Sequence, residues 1–86
     1  MKLLDLRKQI DEIDQKLLTL FHERLAVVKQ VAIIKKETNQ PIYDAQREKE
    51  KLSLTQERLN QPELWPFDEK FLKALMDIAK EYQSTC

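Results

Sequence analysis

Glycine is absent from the 86-residue sequence. Tight hairpin turns, phosphate-cradling loops and dinucleotide-binding fingerprints need glycine where the backbone turns sharply or approaches a ligand, so all three are excluded. There is one cysteine, at the last position, Cys86. It leaves no intrachain disulfide and no thiolate metal cluster. There is a single histidine, His22. No run comes near the roughly 18 consecutive apolar residues of a membrane span. The opening "MKLLDLRKQIDEID" meets an acid at Asp5 and has no apolar signal core, so it is not read as a targeting segment. Fifteen basic residues balance fifteen acidic ones, and the missing basic excess argues against a general nucleic-acid binder. The expectation is a soluble, cytoplasmic protein.

What is present in quantity is Leu, Lys, Glu, Gln and Ala, all good helix formers. An all-α fold follows. Three prolines punctuate it. Pro41 follows "ETNQ", Pro62 follows "LNQ" and Pro66 follows Trp65. A polar residue before proline is a helix stop and restart signal. The reading is one domain over 1–86, with helices at about 3–38, 42–60 and 67–84. Asp68 or a neighbour is expected to cap the last helix, and Trp65 to pack the second connection.

Helix 1 has the clearest period. Positions 3, 6, 10, 13, 17, 20, 24, 27, 31 and 34 read Leu, Leu, Ile, Ile, Leu, Leu, Arg, Val, Val, Ile. Alternating spacings of three and four make a heptad seam. The one charged member is Arg24. At 1.5 Å per residue such a helix runs roughly 50 Å, too long for two short helices to cover. A long seam on a small chain points to a second copy, a homodimer.

Arg24 and Lys35 are eleven residues apart, three turns plus about 20°, so they share a face about 16 Å apart along the axis. Two long cationic side chains across that gap can grip one small ligand. Arg7 lies roughly 25 Å from Arg24 and cannot reach the same ligand from the same straight helix. In an antiparallel dimer it can enter the partner's site. A structural reading stands beside this one. A charged seam residue often sets register or pairs with a partner carboxylate, and Lys35 can snorkel off the helix end.

Helix 2 places Asp44, Arg47, Glu48 and Lys51 on one face, by spacing an ordinary solvated salt-bridge ladder. Burial there falls to Ile42, Ala45 and Leu52. Helix 3 carries a broad apolar stripe, Phe67, Phe71, Leu72, Leu75, Met76, Ile78, Ala79 and Tyr82, read as core. Gln83 follows Ala79 by one turn on the same face.

In order and in register, "LRKQIDEIDQKLLTLFHER", "VAIIKK", "PIYDAQRE" and a closing helix ending in Gln resemble the all-helical AroQ class of chorismate mutases. The likeness covers nearly the whole chain. It implies an intertwined homodimer of three-helix chains, with Arg7 contributed across the interface. It implies the Claisen rearrangement of chorismate to prephenate on the route to phenylalanine and tyrosine, without metal or cofactor. By the resemblance, Arg24 and the other chain's Arg7 bind substrate carboxylates, and Arg47 assists with the ring carboxylate. Lys35 faces the ether oxygen and Gln83 donates to the same atom. Glu48 accepts from the ring hydroxyl, helped by the Asp44 backbone. Family members often carry Ser where Ala79 falls, and the missing hydroxyl implies weaker binding rather than lost activity. His22 falls at a position the family does not use and is read as surface or dimer-edge. Cys86 is read as a free, frayed terminus.

Two rivals remain. Isochorismate-pyruvate lyases resemble the mutases closely, but differ after the first helix, where "PIYDAQRE" favours the mutase. A non-catalytic helical module that senses a pathway metabolite is the other, since domains of this family also occur fused to shikimate-pathway enzymes. A chain running from Met1 to Cys86 favours a stand-alone enzyme, with association to another enzyme of the pathway as a further partner.

Overall fold

A computed structural model describes residues 2–86 as three α-helices: α1 (Lys2–Glu37), α2 (Ala45–Leu59) and α3 (Trp65–Ser84). The chain is elongated, 56 × 27 × 16 Å. Helix α3 packs on both α1 and α2 and so joins the other two.

The helix ends show how a glycine-free chain turns. Thr38 closes α1, and Asn39 then adopts the left-handed conformation, φ 55°. The Gln40 amide donates to the Lys35 carbonyl at 2.8 Å and the Asn39 amide to the Lys36 carbonyl at 3.4 Å. This pair of bonds is a Schellman motif with asparagine in the glycine position. Asn60 is also left-handed after α2, at φ 45°, where its amide donates to the Gln56 carbonyl at 3.2 Å, the simpler single-bond cap. Asparagine tolerates this region better than other residues with a Cβ.

Three expectations are corrected here. Helix α2 starts at Ala45, not near 42, because the restart is set by Asp44 rather than by Pro41. Asp44 is extended and its side chain accepts from the Arg47 amide at 3.0 Å, a side-chain N-cap. Helix α3 starts at Trp65, before Pro66 and not after it. Proline lacks an N–H that the first helical turn does not use, so Pro66 sits inside that turn at no cost. Its N-cap is Leu64, with no side-chain cap bond, and Asp68 lies within the first turn instead of capping it. There it complements the positive end of the helix dipole.

The core within one chain is small. Among the described residues, only Ala32, Leu72, Met76 and Ala79 are buried. The expected α3 core is thus only partly a core: Phe67, Phe71 and Ile78 are exposed, Phe67 by 67%. Around the start of α2, Ile42 in the connection and Leu52 in the helix are half-buried as expected, but Ala45 is exposed. Along α1, every apolar member of the seam, Leu3 through Ile34, is exposed. The neighbouring stripe turns inward, with Phe21, Leu25 and Val28 half-buried and Ala32 buried. So α1 offers one apolar face to α3 and leaves the seam uncovered. Trp65 lines a small hollow with Leu59, Gln61 and Pro62, which places it in the α2–α3 connection. His22 is exposed. Cys86 is half-buried rather than frayed: its carbonyl accepts from Lys36 Nζ at 2.7 Å, and its thiol donates to the Tyr82 carbonyl at 3.4 Å. A basic side chain at the C-terminal end of α1 finds a carbonyl at the chain terminus, and this pins the last turn.

Candidate active site

All three helices contribute to one cavity of about 300 Å3. Helix α1 gives Arg24 and Lys35, set by the eleven-residue spacing. The start of α2 gives Arg47 and Glu48, which follow the Asp44 cap by one turn. Helix α3 gives Ala79 and Gln83, one turn apart. Asp44 lines the same cavity. The structure thus gathers every candidate except Arg7, which is exposed on the first turns of α1 and does not line it.

The floor is apolar, from Val27, Val28, Val31 and Met76. The walls are charged. Five basic side chains, Arg24, Lys35, Arg47, Lys51 and Lys80, face two carboxylates, Asp44 and Glu48, an excess of three positive charges. Such a cavity selects a small ligand with more than one negative group and an apolar body.

Each charged group is held differently. Arg24 is half-buried and donates one bond to the Leu75 carbonyl at 3.3 Å. It has no carboxylate partner among the described residues, so its remaining donors are free for an anion. That weakens the register reading within one chain. Lys35 donates to the Ile42 carbonyl at 2.9 Å. This bond aims the ammonium and ties the loop after α1 to its helix. Two N–H bonds remain for the cavity. Gln83 contributes a buried side-chain oxygen with no donor, and a half-turn of its amide exchanges that oxygen for N–H. A buried unpaired polar atom typically costs about 1–3 kcal/mol, so this amide awaits a partner that the chain does not supply. Ala79 is 7% exposed, and its methyl offers no hydrogen bond.

Glu48 is the exception, because it is already paired. Lys80 Nζ stands 3.0 Å from Glu48 Oε2 and 3.4 Å from Oε1. It is also 3.3 Å from Asp77 Oδ1 and 4.6 Å from the centre of the Tyr43 ring. The Glu48 bond is the first cause that raises the Lys80 pKa above the ordinary 10.5, partly opposed by desolvation, with Asp77 adding to the rise. A raised lysine keeps the pair complete through neutral pH and loses it only as pH climbs past that raised value. Lys80 was missed in the sequence because its partner lies 32 residues away and no periodic pattern links the two. The available signal was position: Lys80 is three residues before Gln83, so both belong to one side of α3.

Because Asp44 caps α2 at the mouth of the cavity, cap and site are coupled. Asp44→Ala is expected to destabilise the protein by about 1 kcal/mol, while Asp44→Asn keeps most of the stability, since asparagine caps as well as aspartate. Thermal melts followed by circular dichroism check this, with a fall of about 4–8 °C for the alanine variant. Equal melting of both variants would mean that the cap bond does not hold the turn.

Among the described residues, no three His, Cys, Asp or Glu side chains are grouped to hold a metal ion, and no helix is long and apolar enough to cross a membrane.

Comparison with known proteins assigns the family. The family model for chorismate mutase type II matches residues 6–84. The chain is 52% identical over 48 residues to a chorismate mutase of Methanocaldococcus jannaschii, covering 56% of this chain and 48% of that protein. It is 43% identical over 49 residues to a bifunctional chorismate mutase/prephenate dehydratase of Aquifex aeolicus, covering 57% of this chain and 14% of the relative. It is 46% identical over 44 residues to the T-protein of Haemophilus influenzae, covering 51% and 12%. The aligned stretch therefore spans about half the length of the first of these relatives and a small part of the others. No solved structure matches significantly. The chain belongs to the chorismate mutase type II family.

Proposed function

We propose that this chain rearranges chorismate to prephenate, and that it does so as an intertwined homodimer. The observation that carries the reading is the single cavity where Arg24, Lys35, Arg47, Glu48 and Gln83 meet from three helices. The family supplies the reaction, and the cavity supplies a chemistry that suits it.

The substrate is a small dicarboxylate with an enol ether and a ring hydroxyl. Its rearrangement is one cyclic shift of electron pairs. The ether C–O bond breaks as a new C–C bond forms, and no proton changes place. A site without an imidazole base or nucleophile is therefore adequate. What the site must do is hold the compact conformer and oppose the charge that develops on the ether oxygen. Arg24 clamps one carboxylate with the donors left after its bond to Leu75. Arg47, whose guanidinium makes no ion pair among the described residues, takes the ring carboxylate with the positive excess behind it. Lys35 and Gln83 address the ether oxygen, and Glu48 and the Asp44 backbone address the hydroxyl. The Ala79 methyl leaves one carboxylate hydrogen bond to water.

The uncovered seam on α1 supports the dimer. Nine apolar side chains, from Leu3 to Ile34, are 40–60% exposed. Burying side chains of this kind contributes on the order of 1 kcal/mol each, more than four buried residues can forgo in a chain this size. An antiparallel partner also delivers Arg7 to the site that one chain leaves incomplete. Association with another enzyme of the pathway fits the fused relatives.

The test is product analysis by NMR after mixing the protein with chorismate, and separately with isochorismate, without added metal. Prephenate from chorismate is the expected product. Pyruvate and salicylate from isochorismate as the main products would move the chain to the lyase reading. No turnover of either would return Arg24 to a structural or sensing role.

A further inference from the structure

The reading of Glu48 as the acceptor for the substrate's hydroxyl leaves two cationic groups in the cavity without a part, Lys51 and Lys80. Of these, Lys80 is the one bonded to Glu48. We propose that Lys80 is a positioning residue, which holds the Glu48 carboxylate in one orientation so that the site recognises a ligand carrying a ring hydroxyl; this rests on the mutase reading above.

The geometry carries the argument. The Lys80 ammonium contacts both oxygens of Glu48, at 3.0 and 3.4 Å. Its other contacts are Asp77 at 3.3 Å and the face of Tyr43 at 4.6 Å. Three N–H bonds meet a carboxylate, a second carboxylate and an aromatic face, so little donor capacity remains for a ligand. Lys35, with one acceptor, and Arg47, with none, differ in this. Lys80 therefore acts through Glu48 and not on the ligand.

The three contacts come from three segments: Tyr43 from the loop before α2, Glu48 from the first turn of α2, and Asp77 from α3 itself. The Glu48 and Lys80 side chains are only 24% and 29% exposed, so this pair is screened less than a surface pair, whereas Asp77 is 75% exposed and secondary. An unpaired glutamate has three side-chain torsions to order when a ligand arrives. With Lys80 in place that ordering precedes binding. An ionised carboxylate is an acceptor only. It rewards a hydroxyl and penalises a keto or carboxylate group at the same place, where two acceptors would face each other. The rise in the Lys80 pKa, caused first by Glu48, fits a pair that is made before any ligand binds.

The experiment compares the full chain with Lys80→Met, Lys80→Arg, Glu48→Gln and the Lys80→Met/Glu48→Gln double variant, in steady-state turnover of chorismate. Methionine keeps the side-chain stem and removes only the charge. If the hydroxyl contact is made in ground and transition states alike, Lys80→Met raises KM about tenfold and leaves kcat within about threefold, and Lys80→Arg brings KM back to within about threefold of wild type. In the Glu48→Gln background the Lys80→Met change adds less than about twofold, because the group it acts through is already gone. Asp77→Asn leaves both constants within about twofold. A fall in kcat with KM unmoved would mean that Lys80 acts in the transition state and not in recognition of the hydroxyl. A full further loss in the Glu48→Gln background would make it a direct ligand contact. Either result overturns the proposal. Titration of Lys80 Nζ by NMR gives a second readout that needs no turnover: Glu48→Gln is expected to lower its pKa toward 10.5, and an unchanged value overturns the pair. A wild-type protein silent toward chorismate would instead remove the mutase reading and the hydroxyl with it, while the Lys80 titration still reports whether the pair exists.

Discussion

Lys35→Met is expected to lower kcat about a thousandfold while the helical content and the oligomer stay intact. The argument is differential. A carboxylate of the substrate carries its charge throughout the reaction, so a guanidinium on it binds ground and transition state alike. The ether oxygen gains negative charge only as the C–O bond stretches. An ammonium aimed at that oxygen is worth little before the reaction and much during it, so its loss falls on kcat rather than KM. Lys35 is suited to this by its surroundings. It is half-buried, where charge interactions are screened less than in water, and its bond to the Ile42 carbonyl at 2.9 Å fixes where the ammonium stands. That bond has a second consequence. Methionine leaves the Ile42 carbonyl without its donor, so the loop between α1 and α2 should lose about 1 kcal/mol of support. Thermal melting separates the two effects, because a loss of this size cannot account for a thousandfold change in rate. The measurements are kcat and KM on chorismate, with sedimentation for the oligomer. A kcat within tenfold of wild type would remove Lys35 from the chemistry.

The α1 helix and its cations were legible in the sequence because a helix converts spacing into direction. Arg24 and Lys35 share a cavity wall as eleven residues of helix require. The same holds for Ala79 and Gln83 on α3. What was not legible depends on contacts between segments. Pro41 marked the break before α2, yet the first residue of that helix was decided by the bond from Arg47 to Asp44. Pro66 suggested a boundary, but a proline in the first turn is as compatible with a helix that has just begun. The α3 stripe was read whole as core, and only Leu72, Met76 and Ala79 are buried within the chain, because periodicity shows that a face is apolar and not which surface covers it. Lys80 illustrates the limit best. On α3 alone it is one more surface lysine. Its part in the cavity exists only once α2 brings Glu48 alongside.

The same limit makes Arg7 the residue whose role is decided by the assembly. It is exposed and lines no cavity with Arg24, as expected when about 25 Å of rigid helix separates the two. If the seams of two copies pair antiparallel, each site is built from Arg24 and Lys35 of one chain and Arg7 of the other. Arg7→Ala and Lys35→Met should then each be nearly inactive alone. Unfolded together in equal amounts and refolded, they should recover about a quarter of wild-type activity, because half of the dimers are mixed and each mixed dimer holds one site with all its residues. The control follows from the cavity itself. Arg24 and Lys35 line it together from one chain, so a mixture of Arg24→Ala with Lys35→Met never assembles an intact site and should recover nothing. Recovery in both mixtures would mean that sites are shared in another way. Recovery in neither, with the Arg7→Ala protein dead on its own, would place Arg7 in the stability of the fold. An active Arg7→Ala protein would mean that the site is complete within one chain, and the exposed seam of α1 would then need a different explanation.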